Sequence, residues 1–266
     1  MKKNKLLIFG ILLGVLIISI IVGIKYKLGK DSTTLGENGV KVAELTSNEK
    51  DENSAILEEH ENSFKVLIEE ASISASTKFY PDLLADRYES WWDTINSAHK
   101  KYAEFFTKNA GVTTIKIKNN KTVQFIDPVV KGDGVQDYDY MFFIPEIDSH
   151  LVRCQFYEGG EFILVNNETG VTQEIWTIPS ISPEKNRLAV ASEDLFPRYD
   201  RNGIQIFEIV SGNYIKQFEQ ELDDWGPDNV RWLSNDAFIV DKYILELSTD
   251  EKKPAGQVIF KLVNGK

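Results

Sequence analysis

Three aspartates between Gly132 and Tyr140 carry the oxygen ligands that a calcium site requires. Asp133, Asp137 and Asp139 supply carboxylates, which are hard ligands for Ca²⁺. Asp137 and Asp139 share one face of a predicted strand because side chains alternate along a strand. The ligand order of a complete calcium loop is not met, so these are candidate metal ligands. The alternative is a polar loop that enters a strand.

A second candidate set is Asp223, Asp224 and Trp225, which precede a predicted strand containing Trp232. Paired acids beside a tryptophan suit a loop that recognises a saccharide or a peptide, because loops carry binding residues disproportionately. The alternative is that Trp225 covers the end of a sheet. In an enzyme, the pair Asp223 and Asp224, or the pair Asp137 and Asp139, would act as general acid and base of a hydrolase.

The other common sources of catalytic chemistry are missing from the sequence. It contains no nucleophile elbow, zinc-protease helix motif, phosphate-binding loop or dinucleotide glycine motif. Cys154 is the only cysteine, which excludes an intramolecular disulfide and a thiolate-rich metal site. His60, His99 and His150 fall in three different predicted elements. We therefore expect no cofactor and favour a protein without catalytic activity.

Charge is distributed unevenly along the chain. Residues 1–30 contain six lysines and no acid, so the remainder has 24 basic and 41 acidic side chains and a formal charge of −17. A region this acidic repels the phosphate backbone of a nucleic acid, and no stripe of basic residues offsets that repulsion. Binding to nucleic acid is therefore not expected.

The run Leu6–Ile24 is uncharged and apolar apart from Ser19. As a helix it would be about 28 Å long, close to the hydrocarbon thickness of a bilayer. A cleaved signal peptide is the alternative, but its apolar core is usually shorter and no small-residue cleavage site follows. The run predicts a single-pass anchor in the cell membrane, with the rest of the chain outside the cytoplasm.

The segment after the anchor is predicted to be polar and then helical. Residues 31–52 have the composition of a linker. A helical segment over 53–110 is predicted to contain a short helix after Ser54 and a longer one over 81–108. The longer helix is predicted from one apolar stripe, whose residues are spaced alternately four and three positions apart in the sequence. The stripe consists of Leu84, Tyr88, Trp91, Ile95, Ala98, Tyr102 and Phe105.

From Gly111 onward the apolar period changes to two, which predicts an antiparallel β-meander over 111–266. Segments 112–118 and 121–126 predict a hairpin, because Asn119 and Asn120 tolerate the positive φ angles of a tight turn. The predicted fold class is α+β, mostly antiparallel β, with an N-terminal transmembrane helix, one or two amphipathic helices and this meander. The predicted domains are a 1–30 anchor, a 31–52 linker, a 53–110 helical segment and the 111–266 domain.

Two pairs of segments repeat within the meander. Phe162–Gly170 recurs as Ile204–Gly212, and Ile181–Val190 recurs more loosely as Val230–Ile239. The region 145–263 resembles bacterial WD40-like propeller blades, with Ser182-Pro-Glu-Lys185 in place of their turn before a strand. The resemblance implies blade-like sheets, although about three blades are too few to close a ring.

These features predict a membrane-anchored extracytoplasmic binding or scaffold module without catalytic activity. Its partners would be the membrane, through Leu6–Ile24, and a protein or saccharide. The alternatives are a hydrolase that uses paired carboxylates, and an immunity or inhibitor protein.

Overall fold

A computed structural model describes residues 64–71, 76–84, 90–129, 134–246 and 248–264. The predicted α+β class is wrong, because the chain is mostly antiparallel β, with 58% strand and 7% helix. The described residues contain one α-helix and fifteen strands. The helix α1 spans Trp91–Lys101. The strands are β1 Phe64–Ala71, β2 Phe106–Asn109, β3 Val112–Lys116, β4 Thr122–Ile126, β5 Val135–Ile144, β6 Ser149–Phe156, β7 Gly160–Asn166, β8 Thr172–Ile175, β9 Ser180–Ile181, β10 Arg187–Ser192, β11 Gly203–Val210, β12 Asn213–Glu221, β13 Gly226–Ser234, β14 Ala237–Glu246 and β15 Glu251–Asn264.

The strands form four antiparallel sheets. Three are meanders in chain order, namely β2–β3–β4, β5–β6–β7–β8 and β9–β10–β11–β12. The fourth has the order β13–β14–β15–β1, so the first described strand completes the sheet that the last three begin. The described sheets do not close into a ring.

Apolar clusters show which sheets pack together. Phe125 of β4 and Val152 of β6 belong to one buried cluster. Leu164 of β7 and Leu188 of β10 belong to a second, and Ile206 of β11 and Phe260 of β15 to a third. The sheet β5–β8 therefore packs against β2–β4 and β9–β12, and β9–β12 also packs against the sheet containing β15. Central strands buried on both faces have nearly continuous apolar runs, such as Phe162–Val165 in β7.

The repeated sequence segments occupy equivalent places in the sheets. Phe162–Gly170 covers most of the third strand of its sheet and the turn that follows, and Ile204–Gly212 does the same in the next sheet. Ile181–Val190 spans the first two strands of its sheet, and Val230–Ile239 lies in the first two of the following sheet. The repeat therefore has the period of one four-stranded sheet.

Within the described parts of 53–110, the predicted helical segment contains two strands as well as a helix. Phe64–Ala71, placed in the short helix, is strand β1 and pairs with Gln257–Asn264 of β15 over its whole length. Of the longer helix predicted over 81–108, the described residues form a helix over Trp91–Lys101, and the Ser90 hydroxyl caps its first turn by accepting a hydrogen bond from the Asp93 N–H. Residues 106–109 form β2, so the predicted domain boundary at 111 falls between two paired strands.

The anchor predicted for Leu6–Ile24 and the linker predicted for 31–52 lie outside the described residues. Within the described ranges, no helix is both long and apolar enough to cross a bilayer.

Candidate functional site

One of the aspartates predicted to bind a metal, Asp139, forms an ion pair with a lysine of the chain itself. Asp133 lies outside the described residues, and Asp137 and Asp139 are on β5. The Lys108 ammonium lies 2.8 Å from Asp139 Oδ1 and 3.5 Å from Asp127 Oδ2, and it donates a hydrogen bond to the Tyr138 carbonyl. Burial opposes the charge of Lys108, but the hydrogen bond to Asp139 and the nearby carboxylates together raise its pKa.

This ammonium supplies the positive charge that a metal would bring to the Asp127–Asp139 region. Lys108 extends from β2 and Asp139 from β5, so the ion pair joins two packed sheets. In the part of the chain that the structure describes, no three His, Cys, Asp or Glu side chains converge as metal ligands. The geometry is that of a structural ion cluster.

His150 and Cys154 are both buried on β6 and play structural roles. The His150 ring makes hydrogen bonds with the Tyr140 hydroxyl at 2.9 Å and with Asn167 Oδ1 at 3.2 Å. Burial lowers the pKa of His150 to about 4 and raises the pKa of the Cys154 thiol to about 12. A thiol with so high a pKa is inert as a nucleophile near neutral pH.

The second predicted set, Asp223 to Trp225, lies in the connection between β12 and β13. The Asp223 carbonyl accepts a hydrogen bond from Arg198 Nη2 at 3.1 Å, and the Trp225 carbonyl accepts one from Asn202 Nδ2 at 3.0 Å. The Asp223 and Asp224 side chains are exposed, whereas Trp225 is partly buried against an apolar cluster. These bonds hold the connection beside the long loop between β10 and β11.

A cleft opens at this end of the sheets. It contains a cavity of about 310 Å³ between residues of three different sheets. Its lining comprises Arg153, Gly160, Phe162, Trp176, Thr177, Ala191, Ser192, Glu193, Asp200 and Asp228. A second cavity of about 280 Å³ adjoins it and shares Thr177, Ala191 and Asp228 with it. Both volumes are near the lower end of the range of small-ligand sites, about 300–1,000 Å³.

Asp200 holds two loops of the cleft together. Its Oδ1 accepts a hydrogen bond from the Gly160 N–H at 2.7 Å, and its own N–H donates to Asp194 Oδ2 at 2.7 Å. Although the residue as a whole is exposed, withdrawal of its carboxylate from water raises the pKa of Asp200. Asp194 adds to the rise, while the Gly160 N–H and Arg153 oppose it.

Gly159 allows the β6–β7 turn to contact the β10–β11 loop. Its φ is +79°, and a Cβ there would come within 2.9 Å of the Tyr199 carbonyl oxygen. A larger residue would therefore be strained in its backbone and would push the two loops apart. On the other side of the cleft, Glu193 forms an ion pair with Lys252 of β15. The Lys252 ammonium donates a hydrogen bond to the Glu193 carboxylate, and this bond raises the pKa of Lys252.

Three large aromatic side chains are exposed on the loops around the cleft. Tyr157 is 71% exposed, Phe196 is 62% exposed and Tyr199 is 52% exposed. Each is within three residues in sequence of Gly160, Glu193 or Asp200, which line the cavity. We call the segments Tyr157–Gly160, Glu193–Asn202 and Leu222–Trp225 the rim loops. Aromatic side chains are common in ligand pockets, so these three are candidate contact residues for a ligand of the cleft.

Sequence reasoning gave two interpretations of Asp223–Trp225, a recognition loop or a tryptophan that covers the end of a sheet, and it missed the cleft itself. Arg153, Glu193 and Asp228 come from strands or strand ends that are far apart in the sequence. One available signal was the connection 193–202, whose ten residues with two aromatics are longer than a tight hairpin requires.

No protein-family model, curated protein or solved structure matches this chain.

Proposed function

We propose that this protein is a membrane-attached binding module whose recognition site is the cleft bounded by the rim loops. The observation that carries the proposal is the combination of two adjoining cavities with three exposed aromatics on the loops around them. Concave sites at the junction of packed elements are the usual location of ligand binding. The propeller-blade resemblance of 145–263 is consistent with such a role, because a stack of sheets presents its connecting loops at its ends.

Binding through the rim is tested by removing its aromatic side chains. The double substitution Phe196→Ala and Tyr199→Ala should weaken any ligand of the cleft at least tenfold, since two interface aromatics contribute about 1.4 kcal/mol or more together. The measurement is calorimetric titration with peptides and oligosaccharides that raise the melting temperature of the wild-type chain.

The matched control is Ile126→Ala. Ile126 is 39% exposed at the end of β4, and the sheet β2–β4 contributes no lining residue to either cavity. This variant should bind as the wild type does. Equal affinities of the wild type and the double variant for every ligand found would refute the proposed site.

We also propose attachment to the cell membrane through Leu6–Ile24, with the β-sheets outside the cytoplasm. The length of the apolar run and the lysines at both of its ends support this. The chain should remain in the membrane fraction after alkaline carbonate washing, and a chain without residues 1–30 should not.

The orientation is tested separately. Alkaline phosphatase fused after Lys266 should be active, and an inactive fusion would mean that the β-sheets face the cytoplasm.

Hydrolysis is the second candidate function, and the raised pKa of Asp200 inside the cleft favours it. Glu161, on the adjoining strand β7, also has a raised pKa because it is partly buried, although Arg201 opposes the shift. A carboxyl group with a raised pKa is suited to act as a general acid. The test is whether the protein turns over a ligand of the cleft. If it does, and if Asp200→Asn abolishes the turnover but retains binding, hydrolysis would replace binding as the proposed function.

A further inference from the structure

We infer that the cleft takes an extended peptide segment with a lysine or arginine side chain and, two positions away, an apolar side chain. The inference rests on the proposed binding function and specifies its ligand.

The charge of the rim loops favours a cationic ligand. The three loops contain six carboxylate side chains and two guanidinium groups, a formal charge of −4, of which the ion pair of Glu193 with Lys252 of β15 offsets one carboxylate. Glu158, Asp223 and Asp224 are exposed, as is Asp228, which lines both cavities. Because the chain after residue 30 has a formal charge of −17, the field around it also attracts cations.

The exposed aromatics of the rim favour the same charge. A ring face attracts an ammonium or guanidinium group by about 0.5–2 kcal/mol. Within the rim loops the chain itself shows this contact at Trp225, where Lys242 Nζ is 5.6 Å from the centre of the ring. A neutral saccharide would contact the rings but would gain little from the net charge.

The two cavities differ in character, which favours a peptide over an isolated cation. The first is lined by charged groups, including Asp200 and Arg153. The second has a mixed lining, in which the apolar Leu84, Ile178, Pro179 and Val230 lie beside polar side chains such as Asp82 and Asn229. In an extended chain, side chains at positions i and i+2 point to the same side about 6.5–7 Å apart. The two cavities share Thr177, Ala191 and Asp228, so they adjoin, and an extended chain that crosses these residues would present one such pair of side chains to the two cavities.

The test is selection from a display library of random octapeptides on the full-length protein in detergent. We expect lysine or arginine to be enriched at least fivefold at one position, with leucine, isoleucine, valine or phenylalanine enriched two positions away. A synthetic peptide with the selected sequence should then bind at least tenfold more tightly than the same peptide with glutamate in place of the basic residue. Raising the salt concentration from 50 to 500 mM should weaken it.

Charge variants locate the interaction. The double substitution Asp224→Asn and Asp228→Asn should raise the Kd of the selected peptide at least fivefold. The control Glu168→Gln and Glu184→Gln removes the same charge from turns at the opposite end of the sheets and should leave the Kd unchanged.

Failure of the inference is distinguishable from failure of the binding proposal. No enrichment of basic residues, or equal affinity for the lysine and glutamate peptides, overturns the inference. If a neutral oligosaccharide binds and the Phe196→Ala and Tyr199→Ala double variant loses it, the binding site stands but the peptide ligand is wrong. If that double variant binds every ligand normally, both are wrong.

Discussion

Replacement of Phe260 by alanine is expected to lower the free energy of unfolding by about 3–5 kcal/mol. Phe260, on β15, is 1% exposed. Its ring stacks on that of Phe238 with centroids 5.1 Å apart and meets the Phe218 ring of the neighbouring sheet edge-on at 6.4 Å. The substitution leaves a cavity between the two sheets that surrounding strands cannot fill, and the loss is a large part of a typical domain stability.

Urea unfolding followed by tryptophan fluorescence measures this effect, because Trp232 lies in the same cluster with its ring 5.1 Å from Phe238. The control is Ile244→Ala on β14 of the same sheet. Ile244 is 41% exposed, so its truncation should cost less than about 0.5 kcal/mol. Similar small losses at both positions would contradict the packing of the sheet containing β15 against β9–β12.

The hairpin between β3 and β4 shows what local sequence can determine. Its strands were predicted at 112–118 and 121–126 and are found at Val112–Lys116 and Thr122–Ile126. Asn119 and Asn120 have the predicted positive φ angles, 61° and 59°, although the connection is longer than the predicted tight turn and includes a 3-10 turn over Lys118–Asn120. Both the alternation and the turn residues lie within fifteen positions, so this element needed no information from distant parts of the chain.

Strand β1 could not be recognised in this way, because a distant segment determines its conformation. Phe64 pairs with Asn264 and Ala71 with Gln257, so the partner strand lies near the opposite end of the chain. The short segment contains apolar residues at both helical and strand spacings. Tertiary pairing decides between them, and single-sequence periodicity carries no signal about it.

The helix α1 was predicted too long because its apolar stripe continues beyond the helical backbone. Tyr102 and Phe105 still pack against buried clusters, although the helix ends at Lys101. The next residues pair with β3, where Thr107 lies opposite Thr114. An apolar stripe reports which side chains are buried, and a neighbouring strand can satisfy the same burial with another backbone conformation.

The sequence analysis singled out one loop beside the cleft, but it did not indicate the cleft. Asp223, Asp224 and Trp225 lie in the connection between β12 and β13, and none of them lines either cavity. The cavity beside it depends on how three sheets stack, which brings Arg153 of β6 near Asp200 of a loop and Asp228 of β13. Register and packing between sheets are set by the whole core, so no local motif predicts this meeting of residues.

Acidification should destabilise the protein through His150, whose imidazole has no exposure to solvent. Burial lowers its folded-state pKa to about 4 from the usual value of about 6.5, although Asn167 and Asp148 oppose the shift. Between these two values the unfolded chain binds the proton and the folded chain does not. The free energy of unfolding therefore falls as pH decreases from about 6.5 to about 4, by about 1.4 kcal/mol per unit and on the order of 3 kcal/mol in all.

Urea unfolding at a series of pH values tests this, with His150→Gln as the diagnostic variant. That variant should be less stable than the wild type at pH 7, because the contacts of the ring with Tyr140 and Asn167 are lost. Its stability should nevertheless fall less steeply between pH 6.5 and 4, because the unfolded chain then has no imidazole at this position to protonate. The substitution His99→Gln removes an exposed imidazole from α1 and should keep the wild-type slope. Parallel curves for the wild type and His150→Gln would mean that residue 150 is solvated, and the packing of β6 against its neighbours would have to be revised.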